Sequence, residues 1–425
     1  MELEVGEFIK YYRKKSDMTQ SELCKDICSV SHLSKIENGV YQPNEEILDL
    51  LITRLGIGKI IDEYENIEKK FKGDLNYFFE MWIWSNFQVM DEVIERIENL
   101  NDEINDSPSK IKYWVAKTLQ SIRSENKNEA IHYLDLIESH EKIRSEDKSL
   151  YILIKGIFLN AFISTTLAIE FYKENVKFIL NHDMNEYNFR LGMFLTKNNI
   201  FNEANMHLNS SFIKYSSSLN FIKMYASLSM MALNYERLGL IDKAKEEYLN
   251  LINASFHLKD QSFYFDVLYN YGLFLKRSYK FEEAVYYFVK CEEHFSHTRL
   301  KKVLVILAKW DAIFQMRTLG KDEFDQFDDD MKFVSSTRGI SKKYKLYVKY
   351  LRIRSKYDNE RHIAFLENVY LPFLINSKML FEIRELYSML AKHYEKKNEM
   401  KYQMYIMNLY NLDESELKVR GGKSL

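Results

Sequence analysis

Two stretches of this chain, about 40 residues apart, carry the same pattern of small, large and aromatic side chains. ASLSMMALNYERLGLIDKAKEEYLNL places Ala232, Tyr235, Ala244 and Tyr248 at offsets that FDVLYNYGLFLKRSYKFEEAVYYFVKC repeats with Gly272, Leu275, Ala284 and Phe288. A small residue in a first helix lets a second approach; the large residues beside it and Ala284 and Phe288 opposite complete the interlock. The chain has only 3 prolines and 13 glycines in 425 residues, too few breakers for the many tight turns of an all-β fold. With 46% hydrophobic and 29% charged residues it is a soluble, folded chain built of long helices.

Projecting the period outward finds Gly192 with Ala204 and Leu208, Gly156 with Ala168 and Tyr172, and Thr118 with Ala130 and Leu134. A Trp-rich pair lies near Phe79, and weaker centres follow at Ile313, Leu351 and Ala391, giving about nine helix pairs across residues 74–425. The pattern resembles tetratricopeptide repeats with lengthened helices. The resemblance implies a right-handed superhelix, because one pair cannot bury its apolar face alone and stacking buries a continuous core.

In that repeat type the first helix of each pair lines a concave groove. Its inward side chains sit six and three residues before the small residue, then one, four and five after it. That rule selects Ser229, Glu236 and Arg237 from one central pair and Asp266, Tyr269, Lys276 and Arg277 from the other. Trp310 and Arg317, then Lys345, Arg352 and Lys356, follow in later pairs, while Asn234 and Asn270 lie near the same surface. Amides bond a peptide backbone, Arg and Lys take carboxylates and aromatic faces hold side chains, so the set suits an extended peptide. The plain alternative for each residue is a solvated helix face.

The first seventy residues read differently. Leu3 to Lys14 form an amphipathic helix; Thr19 then caps a second, with Glu22 closing a capping box. Ser29 offers another cap only ten residues later, so two short helices must turn sharply on each other. Asn38-Gly39 ends the third helix at a left-handed cap, and a fourth, after Pro43, carries Ile47, Leu48, Leu51 and Leu55 up to Gly56. We read 1–66 as a helix-turn-helix domain, 67–73 as a linker and 74–425 as the repeat domain.

MTQSELCKDICSVSHLSKIENG resembles the phage-repressor type of helix-turn-helix over roughly residues 4–58. Gln20, Leu23, Ser34, Ile36, Glu37, Asn38 and Gly39 fit that pattern; the turn is one residue short, and Cys28 replaces its glycine. The resemblance implies that the helix from Val30 enters the major groove of an operator. Val30, Ser31, His32 and Lys35 then face base edges, Lys35 donating to guanine, while Gln20 and Asn38 bind phosphates. Residues 1–72 hold 11 Lys/Arg against 14 Asp/Glu, so a single copy should hold DNA weakly and need a dimer on a two-fold site.

A helix-turn-helix followed by a long repeat domain is similar to the peptide-sensing quorum regulators of Firmicutes, the Rap/Rgg/NprR/PlcR/PrgX family, with the NprR arrangement nearest. The family implies short imported signalling peptides in the groove, homodimers or tetramers, and operator DNA as partner. The runner-up is a Rap-type protein that binds response regulators and speeds their dephosphorylation through a side-chain amide such as Gln88 or Gln120. No catalytic motif or cofactor signature occurs, so an enzyme of another sort is not expected. Cys291, His294 and His297 spread too far round a helix to hold zinc, and Asp325, Asp328, Asp329 and Asp330 read as a solvated face. Three cysteines, no signal-like start and no apolar run of about 18 residues point to the cytoplasm and no membrane span.

Overall fold

A computed structural model describes residues 4–101, 109–140, 143–256, 261–295, 299–316, 319–338, 340–356, 359–377 and 380–421. Among these residues there are helices and turns and no strands. The chain divides into two compact units, residues 1–163 with 174–183, and residues 164–173 with 184–425.

In the first unit, α1 (Glu4–Lys15), α2 (Gln20–Cys24), α3 (Val30–Glu37) and α4 (Glu45–Leu55) pack around Ile9, Leu23, Leu33, Ile36 and Leu51. The caps fall where the sequence put them. Thr19 and Glu22 bond reciprocally, the Ser29 hydroxyl accepts from the His32 amide, and Gly39 and Gly56 adopt φ of 68° and 69°. The short turn is resolved without glycine, since α2 stops at Cys24 and Asp26 takes the left-handed conformation, at φ 62°. Cys28 does not replace it there.

One expectation is corrected here. The segment 67–73 is no linker but the interior of α5 (Gly58–Ile83), which runs unbroken for 26 residues. Phe71, Leu75, Phe78, Phe79 and Trp82 are all buried, so the apolar stripe that stabilises this helix starts within the supposed linker. α5 pairs with α6 (Phe87–Asn101), and α7 (Lys110–Arg123) with α8 (Lys127–Glu138), before α9 (Ser145–Phe162).

In the second unit, α10 (Thr165–Asn175) supplies its first nine residues, followed by α11 (Met184–Lys197) with α12 (Phe201–Ser217). α13 (Phe221–Arg237) pairs with α14 (Ile241–Ser255), and α15 (Gln261–Arg277) with α16 (Phe281–His294). Next come α17 (Arg299–Met316), α18 (Lys321–Ser336) and α19 (Lys342–Arg354). α20 (Asn359–Phe365) leads through a π turn at Leu366–Tyr370 into α21 (Leu371–Asn376), and α22 (Leu380–Tyr394) pairs with α23 (Glu399–Gly421). First helices of successive pairs also touch, α11 with α13, α13 with α15, α15 with α17 and α17 with α19, as stacking requires.

The small residues act as read. A Cβ on Gly272 would stand 2.7 Å from a Phe288 ring carbon, and one on Gly192 2.6 Å from Leu208 Cγ. Five of the turns inside the pairs share one geometry. Ser85, Glu125, Asn199, Gly239 and Tyr279 all sit at positive φ. At each, the next amide bonds back to a carbonyl five residues earlier, as Leu240 does to Tyr235 and Lys280 to Leu275. This is the Schellman closure of a helix end, made with glycine only once.

Candidate DNA-reading head and candidate peptide groove

The head is organised by one buried carboxylate. Glu37, at the end of α3, accepts from Arg13 Nε at 2.5 Å and Nη2 at 2.9 Å, and from Gln20 Nε2 at 2.8 Å. Burial pushes its carboxyl up, but the bonds from Arg13 and Gln20 outweigh this and hold it below the usual range. α1, α2 and α3 are thereby fixed together. Gln20, expected at a phosphate, has its amide turned to this cluster, and Asn38 accepts from Lys10 Nζ at 2.9 Å. Val30, Ser31 and Lys35 lie exposed along the outer face of α3. His32 is half-buried, with the ring of Tyr41 edge-on against it at 4.4 Å. Tyr41, which the sequence pattern did not single out, therefore belongs to the same surface.

The inner face of the second unit is a ladder of charge pairs between successive first helices. Arg277 on α15 holds Glu236 on α13 by donating from Nε and Nη2 to the two carboxylate oxygens. Lys276 Nζ stands 2.6 Å from Asp311 Oδ2, and Lys301 Nζ 2.7 Å from Asp266, joining α15 to α17. Arg354 carries the ladder to α19, reaching Asp311 at 3.4 Å and the Phe314 carbonyl at 2.8 Å. Asn234, fully buried, donates to Thr196 and Asn205, so it braces α13 against α11 and α12. Ser229, Tyr269 and Asn270 are part-exposed on α13 and α15. Burial, then the neighbouring Arg277, pull the Arg237 guanidinium down to about 10. Glu385 on α22, its side chain open to solvent, faces the same group: the surrounding helices desolvate its carboxyl enough to raise it against the pull of Lys276, Arg277 and Arg237.

The ladder corrects the groove list beyond α15. Both pairs linking α15 to α17 span 35 residues, against 41 for Arg277 with Glu236. The register of α17 is thus centred near Leu307, not Ile313. Trp310 accordingly points into the core, 2% exposed, against Phe327, with Nε1 donating to Asp330 at 2.7 Å; it does not line the groove. Asp330, read as solvated, is its acceptor and that of Lys309. On α19 the inward residues are Tyr347 and Arg354, both bonded to Asp311, whereas Lys345, Arg352 and Lys356 are exposed. Arg317 and His297 lie outside the described residues.

The other candidates have local partners. Gln88 donates to Glu92 and Gln120 accepts from Lys117. Burial pushes the Cys291 thiol up to about 12, with its Sγ on the Phe265 carbonyl, and His294 stacks on Phe265 at 3.9 Å. Among the described residues no three His, Cys, Asp or Glu converge on a metal position, and no helix is long and apolar enough to cross a membrane.

Residues 9–59 match the family model described as Helix-turn-helix. The transcriptional activator NprA of Geobacillus stearothermophilus is 21% identical over 410 residues, covering 91% of this chain and 99% of that one. A Rap protein complexed with competence and sporulation factor superposes with a TM-score of 0.67 at 12% identity, over 83% of this chain and 99% of that chain. The fold is that of the Rap and NprR proteins. The apo quorum sensor NprR from B. thuringiensis gives 0.62 at 15% identity, and NprR with its cognate peptide NprX gives 0.59 at 14%; each covers 81% of this chain and 99% of that one. The sequence resemblance to NprR-like regulators thus has the helix-turn-helix match, the NprA relative and the shared fold behind it.

Proposed function

We propose that this protein is a transcription regulator whose α3 reads operator DNA and whose DNA binding is set by a short peptide held along the inner face of its helix pairs. The observation that carries the reading is the ladder of Arg, Lys, Asp, Glu and Asn side chains on successive first helices, in a chain whose residues 9–59 match a helix-turn-helix. A row of oriented charges and amides at repeat spacing matches the periodic polar groups of an extended peptide. Ser229, Tyr269, Asn270, Lys276, Arg277 and Arg237 form the proposed contact set, with Arg354 and Tyr347 taking the places first given to Trp310 and Arg352. In the head, Val30, Ser31, His32 and Lys35 meet the bases, and Asn38 and the lysines of α1 meet phosphates.

The peptide acts by binding one arrangement of the helix pairs better than another, and so biases the form of the protein that holds DNA. Two-fold assembly on DNA compensates for the acidic balance of residues 1–72. Equilibrium binding to promoter DNA, with and without peptides from small reading frames beside the gene, tests the proposal. Affinity or stoichiometry that shifts with one peptide is expected. Identical affinity, stoichiometry and promoter output with every such peptide overturns the peptide control. The Rap-type alternative is less favoured, since Gln88 and Gln120 are each tied to a neighbour on their own helix.

A further inference from the structure

The head presents an unusual surface for a nucleic-acid reader. Val30 at the start of α3 is 44% exposed, and Val40 and Tyr41 just past its end are 73% and 47% exposed. The Val40 and Tyr41 amides both bond the Lys35 carbonyl, which fixes these side chains to the end of the helix. Tyr41 is further held by its edge contact with His32. Against this apolar set α3 exposes a single cation, Lys35, and the cluster at Glu37 takes Arg13 and Gln20 out of reach of bases. A domain with 11 basic and 14 acidic residues in positions 1–72 gains little from phosphate neutralisation, so base-edge contacts must supply discrimination. On the major-groove edge only one standard base offers an apolar group, the C5 methyl of thymine.

Resting on the DNA-binding reading above, we propose that Val30 is a thymine reader: its exposed isopropyl group packs on a thymine C5 methyl in the half-site. The half-site recognised is therefore marked by a thymine at the position facing the start of α3. Lys35, five residues further along α3, reads its own base independently.

The test uses the full chain and a double-stranded site selected by it from a random pool at fixed salt. Each thymine in the site is replaced singly by uracil, which deletes the methyl and leaves every hydrogen-bonding group in place. One replacement should weaken wild-type binding about fourfold, the worth of one buried methyl. Val30→Ala should bind the parent site more weakly and show no further loss with that uracil, while keeping the wild-type melting temperature because the side chain is exposed. Val30→Thr, which keeps one methyl, should fall between. If uracil is neutral at every position, or costs Val30→Ala as much as wild type, Val30 does not read thymine and the proposal is overturned. If no site is enriched at all, the DNA-binding reading itself fails.

Discussion

Two carboxylates, Glu186 and Asp311, each knit three helices of the second unit together, and they do so in different surroundings. Glu186 on α11 accepts from Lys223 at 2.6 Å, Arg190 at 2.7 Å and the Tyr215 hydroxyl at 2.7 Å, drawing α12 and α13 onto α11. Lys223 and Glu186 are 2% and 1% exposed, and the Phe189 ring lies under the Lys223 ammonium at 4.8 Å. Asp311 on α17 takes Lys276 from α15 and Arg354 from α19, but on the inner face, where Arg277 and Glu385 add to the field. The Glu186–Lys223 pair is sealed, whereas the second cluster borders the proposed ligand path. A sealed ion pair cannot be re-solvated when one member is lost, and a pair at a groove can. The same chemistry thus serves as a structural clamp in one place and as an adjustable joint in the other.

Glu186→Ala should break that comparison most visibly, costing about 3–5 kcal/mol by stranding the buried Lys223 ammonium. Asp311→Ala should cost at least about 1 kcal/mol less, since water reaches Lys276 and Arg354. Urea unfolding followed by the fluorescence of Trp310, the only tryptophan in residues 184–425, measures both. Equal losses would erase the distinction between clamp and joint.

Acid should separate them next. Burial raises the Glu186 carboxyl, but Lys223, Arg190 and Tyr215 bring it down to about 2 from 4.5. A depressed carboxyl contributes its stability above the unfolded value and loses it as pH falls through the folded one, so about 3 kcal/mol should disappear between pH 4.5 and about 2. Urea midpoints across that range should fall steeply for wild type and more gently for Glu186→Gln. Parallel curves would sink the assignment.

Gly272→Ala sharpens the comparison from the packing side. The new methyl meets the fully buried Phe288 ring at 2.7 Å, so a loss of about 1–3 kcal/mol is expected by the same unfolding measurement. The smallest effect belongs to the turns. Glu125→Gly relieves a side chain held at φ 57° and should change stability by less than about 1 kcal/mol, in the stabilising direction. A clear fall in melting temperature would mean that the Glu125 side chain contributes more than its backbone costs.

Sequence reading succeeded where a local rule fixes the outcome. Capping residues announce helix ends because the first amides and last carbonyls need partners nearby, and Thr19, Ser29, Gly39 and Gly56 supplied them in order. Gly192 and Gly272 marked close helix contacts because a Cβ at either would meet a side chain of the partner helix at under 3 Å. Reading failed where spacing was carried forward without such a marker. Between α15 and α17 the interval shortens to 35, and no small residue signals it, so Trp310 was turned to the groove while Asp311 and Arg354 were overlooked. Oppositely charged residues recurring 35 to 43 apart were the available signal, since each pair bridges neighbouring first helices.

By itself, then, the chain's order of residues determined an all-helical repeat behind a helix-turn-helix, because periodicity, caps and close-packing glycines act over a few turns. Only the tertiary structure decided which charged residues face inward, that α5 runs straight through the expected linker, and that four of the five matching pair turns close without glycine. Those choices depend on the rotation of one helix against the next. A shift of one residue turns a side chain through about 100°, and only the packed neighbours set that angle.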